Sequence, residues 1–353
     1  MTIQPLSAPT PVQDPAGSRP MEYVLPPAEA AELLEIAPQI AEVCGDPLTE
    51  SFYDRVWQLT TQLPTGLRAF LEDFRRTEPA AACLIHGIPV DDDLIGATPP
   101  HWRDAISTTS ARTQEIILAL CGTVLGEPFG WATLQEGSIV QNVLPIRGDE
   151  TKQSGYGSES LLEFHTEDGF HPNRCDYLML LGLRNADRVP TIVSSVRDVR
   201  LDDRDHEILS EDRYYIFPDA EHIRQLATSD PGHPALEKLR RMVATPKPTS
   251  VLFGDRRFPY MCIDRPFMRC ADDDREAAAA LDRFMAELTR AQQEVVVGPG
   301  TLLIVDNYLA AHGRRSFQAR YDGTDRWLKK LTISRNLRRN LAGVSAGRHR
   351  VII

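Results

Sequence analysis

The sequence lacks the features that mark several classes of protein. Its six cysteines include no C-x-x-C pair and fit neither a zinc ribbon nor a secreted disulfide framework, which favours reduced thiols in a cytoplasmic protein. No apolar run approaches the roughly 20 residues of a membrane span. The first residues contain no apolar segment of the signal-peptide type. We therefore expect a cytoplasmic protein that is neither secreted nor embedded in a membrane.

The sequence also has fewer basic than acidic residues. The 353-residue chain has 39 Lys and Arg residues against 50 Asp and Glu residues, for a formal net charge of −11. Nucleic acid is not the expected partner, because binding to phosphates requires clustered Lys and Arg side chains. Hydrophobic residues make up 42% of the chain, enough to bury a full core. The composition leaves the oligomeric state open.

The N-terminal part of the chain has helical periodicity. Apolar residues recur at helical spacing in Pro26–Cys44, and Pro38 is expected to bend or split this helix. A second helix is predicted to begin at Thr65, directly after a proline. We expect a helical flank over residues 23–80, preceded by a disordered tail over residues 1–22.

The pattern changes after Pro79. Short apolar runs bounded by Gly, Pro and Asp are typical of strands, and they occur at Ala82–Ile88, Ser138–Ile146, Tyr177–Leu183, Thr191–Val196, Tyr214–Phe217, Ser250–Phe253, Tyr260–Ile263, Glu294–Val297, Thr301–Val305 and Leu328–Ser334. One further helix is predicted over residues 274–292. Many strands with irregular loops favour a mainly β fold with flanking helices, a sandwich or jelly roll rather than a βαβ repeat.

Two polar side chains lie two residues apart in the segment LLEFHTEDGF. If this segment is an extended strand, His165 and Glu167 leave the same face, because side chains alternate along a strand. One imidazole and one carboxylate supply two of the three ligands of the facial triad typical of non-haem Fe(II) oxygenases. His312, expected in a loop after a strand that ends at Asp306 and Asn307, is a candidate for the third ligand.

A single arginine stands before the last predicted strand, in the sequence RWLKKLTIS. A metal site that also holds a dicarboxylate requires a fixed cation at its far end, and arginine offers bidentate geometry. Arg326 is the candidate for this cation. Each of these features is common by itself, but their conjunction in a strand-rich chain is specific.

The segments HTEDGFHPNRCDYLMLLGLRN, DNYLAAHGRRSF and RYDGTDRWLKK resemble the clavaminate-synthase-like branch of the Fe(II)/2-oxoglutarate dioxygenases. The resemblance spans about Gly126 to Arg338. It implies a double-stranded β-helix (jelly-roll) core over residues 81–338, within a single dioxygenase domain over 23–338 that is followed by an extension over 339–353. It also implies Fe(II) as the cofactor and 2-oxoglutarate and O2 as co-substrates. The implied iron ligands are His165, Glu167 and His312, and the implied 2-oxoglutarate contacts are Arg326 and Thr191.

The arginine and asparagine oxygenases of this branch, which act in antibiotic biosynthesis, provide the model for the substrate. The resemblance implies substrate contacts at Gln135, Glu167, Asp219, Asp264 and Lys330. Pro266 stands where arginine hydroxylases of the family carry a second acid, and Lys330 stands where they carry an arginine for the substrate α-carboxylate. The expected reaction is hydroxylation of Cβ or Cγ of a free L-amino acid, arginine or an analogue. Citrulline, lysine, a carrier-bound amino acid and desaturation of arginine remain alternatives.

Two other classes of protein remain open at this point. A zinc hydrolase can use the same three ligands, and a jelly-roll binding protein can keep the fold without the chemistry. Neither class requires the distal Arg326, and the oxygenase hypothesis is therefore favoured. The Gly- and Ser-rich segment Gly148–Ser160 is a candidate for a lid that closes over the site.

Overall fold

The computed structural model describes residues 19–339 and 349–353, so the predictions for residues 1–18 and 340–348 lie outside the described residues. The helices are α1 (Pro27–Cys44), α2 (Glu50–Val56), α3 (Thr65–Thr77), α4 (Asp92–Ile95), α5 (Trp102–Ile106), α6 (Arg112–Leu125), α7 (Asp203–Leu209), α8 (Ala220–Ser229), α9 (Pro234–Ala244) and α10 (Arg275–Ala291). Short 3-10 turns lie at Trp57–Gln62, Gln135–Gly137, Val196–Asp198 and Arg265–Phe267.

The strands are β1 (Met21–Val24), β2 (Ala82–His86), β3 (Glu127–Trp131), β4 (Gln141–Val143), β5 (Leu162–His165), β6 (Tyr177–Arg184), β7 (Thr191–Ser195), β8 (Tyr214–Ile216), β9 (Leu252–Asp255), β10 (Phe258–Met261), β11 (Met268–Cys270), β12 (Gln293–Val295), β13 (Leu302–Asp306), β14 (Ala310–Arg314), β15 (Trp327–Ser334) and β16 (Val351–Ile352). Each of the ten predicted runs overlaps one of these strands. The strands β1, β3, β11, β14 and β16 were not predicted.

Most strands belong to two sheets. The larger sheet has the order β1-β2-β13-β6-β15-β3-β16, with β4 also paired to β15, and the smaller sheet has the order β12-β7-β14-β5. The strands β8 and β11 form one separate pair, and β9 and β10 form another. With ten described helices around these sheets, the protein is a mixed helix-and-sheet structure. The prediction of a mainly β fold therefore understated the helices.

Strand β6 separates two hydrophobic cores. All eight of its residues are buried, and successive side chains point to opposite faces of the sheet. Leu178 and Leu180 pack into a core shared with Ile192 of the smaller sheet. Met179 and Leu181 pack into the other core, with side chains of α1, α3 and α6. The larger sheet thus has the smaller sheet on one face and the N-terminal helices on the other.

The sequence did not reveal α6, which lies at the centre of the helical layer. Eleven of its 14 residues are buried, so it has no polar stripe from which a helical period can be recognised. A Cβ atom at Gly122 would lie 2.7 Å from a methyl group of Leu331, and the glycine therefore lets α6 approach β15 closely. The other missed helices are shorter, with at most 11 residues.

The predicted helices behave as expected with one exception. Helix α3 begins at Thr65 and α10 covers most of the predicted residues 274–292. Helix α1, however, runs without a break through Pro38. Pro38 lies on the exposed face of α1, where water can satisfy the carbonyl group that loses its helical hydrogen bond. The proline therefore costs stability without ending the helix.

Both ends of the described chain join the larger sheet. Strand β1 begins at Met21, inside the predicted tail 1–22, and β16 lies inside the predicted extension 339–353. The main-chain N–H of Ala132 donates to the carbonyl of Ile352 at 2.8 Å. Among the described residues, none of the helices combines the length and the apolarity needed to cross a bilayer.

We predict that Ile352→Ala destabilises the protein. The side chain of Ile352 is fully buried against Phe129 and Trp131, and truncation of a buried isoleucine costs about 2–5 kcal/mol. Chemical denaturation monitored by circular dichroism measures the loss. Val24→Ala is the control, because this β1 side chain is 71% exposed. An unchanged midpoint for Ile352→Ala would contradict the packing of β16 on β3.

Candidate active site

The pairing of β5 with β14 brings two histidines together. His312 is the direct register partner of His165 in this antiparallel pair, and directly opposite side chains lie on the same face of a sheet. The centroids of the two rings are 4.2 Å apart. The prediction of a loop at His312 was wrong. Its segment AAHGR contains no β-branched residue, and it forms a strand because β5 and β7 pair with it on either side.

Glu167 lies just beyond the end of β5, although the sequence predicted an extended strand through this position. The side chain of Asn307 holds the Glu167 backbone in place. The main-chain N–H of Glu167 donates to Asn307 Oδ1 at 2.7 Å, and Asn307 Nδ2 donates to the Glu167 carbonyl at 3.0 Å. The carboxylate then lies 3.4 Å from Nε2 of His312 and 4.0 Å from Nε2 of His165.

The three side chains form a cluster that fits a metal ion. One ligand atom from each of His165, Glu167 and His312 lies within 4.8 Å of the other two. Nδ1 of His165 lies 2.9 Å from the carbonyl of Glu163, an arrangement that leaves Nε2 as the metal-binding nitrogen. Burial, followed by the neighbouring His312, lowers the pKa of His165 to about 4. The imidazole is therefore neutral at physiological pH, as a metal ligand must be.

Glu167 is ionised within this buried cluster. Burial by itself opposes the charge, but the ammonium group of Lys330 and the hydrogen bond with His312 together hold the pKa of Glu167 well below its usual range. Nζ of Lys330 donates to Oε1 of Glu167. Two imidazoles and one carboxylate are the donor set of the facial triad, so the residues present fit a divalent transition metal.

The spacing of the two histidines depends on a glycine. Gly313 follows His312 on β14, and a Cβ atom there would lie 2.4 Å from the carbonyl oxygen of Leu162 on β5. Any side chain at this position would push the two strands apart and would separate His312 from His165. The close approach of the backbones is therefore part of the site.

A buried arginine lies near the cluster. Arg326 is 6% exposed, and its Nη2 donates to Oγ1 of Thr191 at 3.2 Å. Its Nε has no hydrogen-bond partner among the described residues. Burial, followed by the charge of Arg314, lowers the pKa of Arg326 to about 9. A buried cation with an unused donor is a site for a carboxylate, so these residues also fit a dicarboxylate co-substrate.

All nine residues that the sequence predicted for the site line one cavity, together with Pro266. They are Gln135, His165, Glu167, Thr191, Asp219, Asp264, His312, Arg326 and Lys330. Arg326 and Lys330 both line this cavity, whereas Lys329, which precedes Lys330, points to the opposite face of β15. Lys329 is fully buried there and donates to Glu115 at 2.7 Å.

Two acidic side chains form one wall of the cavity. Asp219 accepts a hydrogen bond from the main-chain N–H of Glu221 at 2.8 Å and so caps α8. Asp264 pairs with His165 through an isolated β-bridge. Burial raises the pKa of Asp219 to about 6, and burial together with Asp219 raises the pKa of Asp264 well above its usual range. Within the described residues neither forms a salt bridge with a basic side chain, so this wall favours a cationic ligand.

A hydrogen-bond network behind Glu167 was not predicted. Asp168 follows Glu167 with a left-handed φ of 53°, a conformation that costs a non-glycine residue energy unless its surroundings hold it. The carboxylate of Asp168 accepts from Nε1 of Trp131 at 2.6 Å and lies 3.0 Å from Nε2 of His222. Nδ1 of His222 lies 2.6 Å from the hydroxyl of Thr133. No short sequence motif links these residues, because they come from separate parts of the chain.

The cover segment, residues 148–160, lies against the site. The guanidinium of Arg314, two residues after His312, donates to the carbonyl of Gly157 and, at 2.9 Å, to that of Ser160. Arg224 of α8 donates to Asp149 at 2.8 Å. Arginines on two different elements therefore hold the cover segment in place.

Comparison with known proteins confirms the predicted family resemblance. Residues 108–332 match the family described as taurine catabolism dioxygenase TauD, TfdA family. The chain is 40% identical to an L-ornithine/L-arginine 3-hydroxylase of Catenulispora acidiphila, over 92% of this chain and 98% of the relative. It is 42% identical to an enduracididine β-hydroxylase of Streptomyces hygroscopicus, over 82% and 87% of the two chains.

A solved structure is similar over almost the whole chain. The non-haem iron oxygenase OrfP, in complex with Fe, succinate and (3S)-hydroxy-L-Arg, superposes with a TM-score of 0.88 at 37% identity. The similarity covers 94% of this chain and 99% of OrfP. OrfP has also been solved with Fe and α-ketoglutaric acid.

We predict that Asn307→Ala weakens metal binding by roughly ten- to a hundredfold, the usual effect of removing a group that orients a metal ligand. Calorimetric titration with Mn(II) measures the change. Asn185→Ala is the matched control, because Asn185 is also buried and bonds to main-chain groups, at Val189 and Val297. Equal loss of metal affinity in both variants would mean that Asn307 acts only through general stability.

Proposed function

The chain belongs to the TauD/TfdA family of dioxygenases, and from this membership we propose that it is a non-haem Fe(II)/2-oxoglutarate-dependent hydroxylase of a free basic L-amino acid. The observation that carries the proposal is the His165, Glu167 and His312 cluster in one cavity with the buried Arg326. Arginine or a close analogue is the proposed substrate, because relatives act on ornithine, arginine and enduracididine. Their names support Cβ as the carbon oxidised, with Cγ as the alternative.

The two sheets are proposed to form the double-stranded β-helix core of a single domain over residues 23–338. The core shared by the two sheets and the similarity to OrfP support this assignment. The six cysteines are free, which supports the proposed cytoplasmic location and, with it, a reducing environment. The proposed partner is a small molecule, with no role for nucleic acid or a membrane.

The metal-binding residues have separate tasks in this proposal. His165, Glu167 and His312 hold Fe(II). Asn307 fixes the position of the Glu167 backbone through two main-chain hydrogen bonds. When bound, Fe(II) with 2-oxoglutarate and O2 supplies the oxidation that inserts one oxygen atom into a C–H bond and releases succinate and CO2. Arg326 and Thr191 orient the distal carboxylate of 2-oxoglutarate through charge-assisted hydrogen bonds.

The substrate is held at both ends. Asp219 and Asp264 bind the basic side chain, and a cation between them favours the charged form of each carboxyl group. Gln135 and Lys330 bind the α-amino and α-carboxylate groups near Glu167, so that the carbon to be oxidised faces the metal. The cover segment excludes water from the reacting groups.

The rival functions explain less of the site. A zinc hydrolase accounts for the three ligands but not for the buried Arg326, whose Nε is unused within the described residues. A binding protein without chemistry has no need of two imidazoles and a carboxylate beside that cation. Desaturation uses the same residues as hydroxylation, and product analysis separates the two reactions.

We predict that the protein with Fe(II), ascorbate, 2-oxoglutarate and O2 converts arginine or ornithine into a product heavier by one oxygen atom, with equimolar succinate. The panel also includes citrulline, lysine and asparagine, and mass spectrometry measures the products. Zn(II) is expected to inhibit, and His312→Ala is expected to abolish turnover because one ligand is lost. Turnover supported by Zn(II), or unchanged turnover in His312→Ala, would contradict the iron assignment. A product lighter by two hydrogens would identify a desaturase.

We predict that Asp264→Asn raises the KM for arginine by tenfold or more, since a hydrogen bond to a charged group contributes about 1.5–3 kcal/mol. The KM for citrulline, which has a neutral ureido group of similar shape, is expected to rise much less. Steady-state kinetics with both substrates measures the difference. Asp203→Asn is the control, because its side chain is 95% exposed. An unchanged KM in a folded Asp264→Asn variant would make Asp264 structural.

A further inference from the structure

The hydroxyl of Tyr156 lies in the wall of the cavity but was not among the predicted site residues. Tyr156 belongs to the cover segment, is 6% exposed and lines the same cavity as Gln135 and Lys330. Its oxygen lies 2.8 Å from Nε2 of Gln135 and 3.2 Å from Nε2 of Gln225. The direction of these two hydrogen bonds determines what Tyr156 offers to a ligand.

Other partners fix the orientation of both carboxamides. Oε1 of Gln135 accepts from the main-chain N–H of Asn142 at 2.9 Å, and its Nε2 donates to the Asn142 carbonyl at 2.8 Å. Oε1 of Gln225 accepts from the main-chain N–H of Gln135 at 2.8 Å, and its Nε2 donates to Glu221 at 2.7 Å. The groups that face Tyr156 are therefore amide nitrogens, which can only donate.

The oxygen of Tyr156 accepts both hydrogen bonds and keeps its own hydrogen for another partner. Within residues 19–339 and 349–353 that hydroxyl donates no hydrogen bond. Gln135 has the reverse hydrogen-bonding capacity. Both hydrogens of its amide are used, at Asn142 and Tyr156, and only Oε1 can take part in a further bond. This part of the cavity wall, formed by Tyr156 and Gln135, thus offers one hydrogen-bond donor, at Tyr156, and one acceptor, at Gln135.

The α-amino end of a basic amino acid matches this pair of groups. Its α-ammonium group only donates, and its α-carboxylate is the only group that carries strong acceptor oxygens. Lys330 lines the same cavity as Tyr156, and its positive charge partly offsets the rise that burial causes in the pKa of Tyr156. A lysine presents a point charge without the planar fork of an arginine. A carboxylate bound to Lys330 therefore keeps an acceptor position that a second donor can fill.

We propose that the Tyr156 hydroxyl donates a hydrogen bond to the α-carboxylate of the substrate beside Lys330, while Oε1 of Gln135 accepts from the α-ammonium group. The inference rests on the proposed function and deepens it, because it assigns to the site a substrate with a free α-carboxylate. A carrier-bound thioester has no anionic oxygen to offer to Lys330 and Tyr156. The residues of this wall therefore select against the carrier-bound alternative.

The test compares Tyr156→Phe with the wild type in Mn(II)-loaded protein, with 2-oxoglutarate and without O2. Calorimetric titrations use L-arginine, L-ornithine and L-argininamide, in which a neutral amide replaces the carboxylate. The affinity of the variant for the two free amino acids is expected to fall roughly ten- to a hundredfold. Its affinity for L-argininamide is expected to fall much less, because a hydrogen bond to a neutral amide carbonyl is weaker than one to a carboxylate. Binding of Mn(II) and 2-oxoglutarate is also expected to be unchanged, which shows that the variant is folded.

Tyr53→Phe is the matched control, because Tyr53 is also buried and its hydroxyl donates to the carbonyl of Pro47 at 2.9 Å, in the helical layer. An equal loss for L-arginine and L-argininamide in Tyr156→Phe would overturn the proposal, since Tyr156 would then act by holding Gln135. Wild-type affinity in Tyr156→Phe would overturn the proposal for Tyr156 and leave the proposed function intact. A wild-type protein that binds 2-oxoglutarate but no basic amino acid would overturn both.

Discussion

The antiparallel pairing of β5 with β14 is the constraint on which the rest of the site depends. It places His312 opposite His165 and directs both rings into one cavity, although the two residues are far apart in the sequence. The same strand β14 pairs with β7, where Arg314 is the register partner of Thr191. One strand therefore aligns a candidate metal ligand, an arginine that holds the cover segment and the threonine that contacts Arg326. A change in its register would displace all of them together.

The cavity buries charges of both signs, and this arrangement is costly unless each charge finds a partner. Lys330 and Glu167 satisfy each other before any ligand arrives. Arg326 and the pair Asp219 and Asp264 form no salt bridge within the described chain. These groups without an ion-pair partner are the parts of the site that a dicarboxylate and a basic amino acid would complete. The free energy that binding recovers here is the physical basis of the proposed selectivity.

Local patterns were sufficient to predict part of this structure. The spacing of His165 and Glu167, and the helices that begin with a clear apolar stripe, were recognisable because they depend on neighbouring residues. Helix α6 was not, since burial on all sides removes the stripe. The strand at His312 was not recognisable either. Its neighbours β5 and β7 stabilise it, and its own residues have little strand propensity. The nine predicted site residues line one cavity, while their individual roles remain predictions.

Tyr156, Asn307 and the Asp168 network belong to a different category. Their importance depends on which atoms of distant side chains face them, such as the amide nitrogens of Gln135 and Gln225. A sequence motif contains no information about the orientation of a carboxamide, so these positions become visible only in three dimensions.

Gly313 has a consequence for efforts to alter the enzyme. Because a backbone oxygen lies where its side chain would begin, trimming a neighbouring side chain does not make room for a larger residue. In a mutant library that samples position 313, the variants with a side chain there are expected to have a disrupted β5–β14 pairing. Asp219 lies at the start of a helix outside both sheets, and its replacement leaves the backbone spacing of the histidines untouched. Diversity directed at Asp219 therefore explores new substrates at little risk to the metal centre.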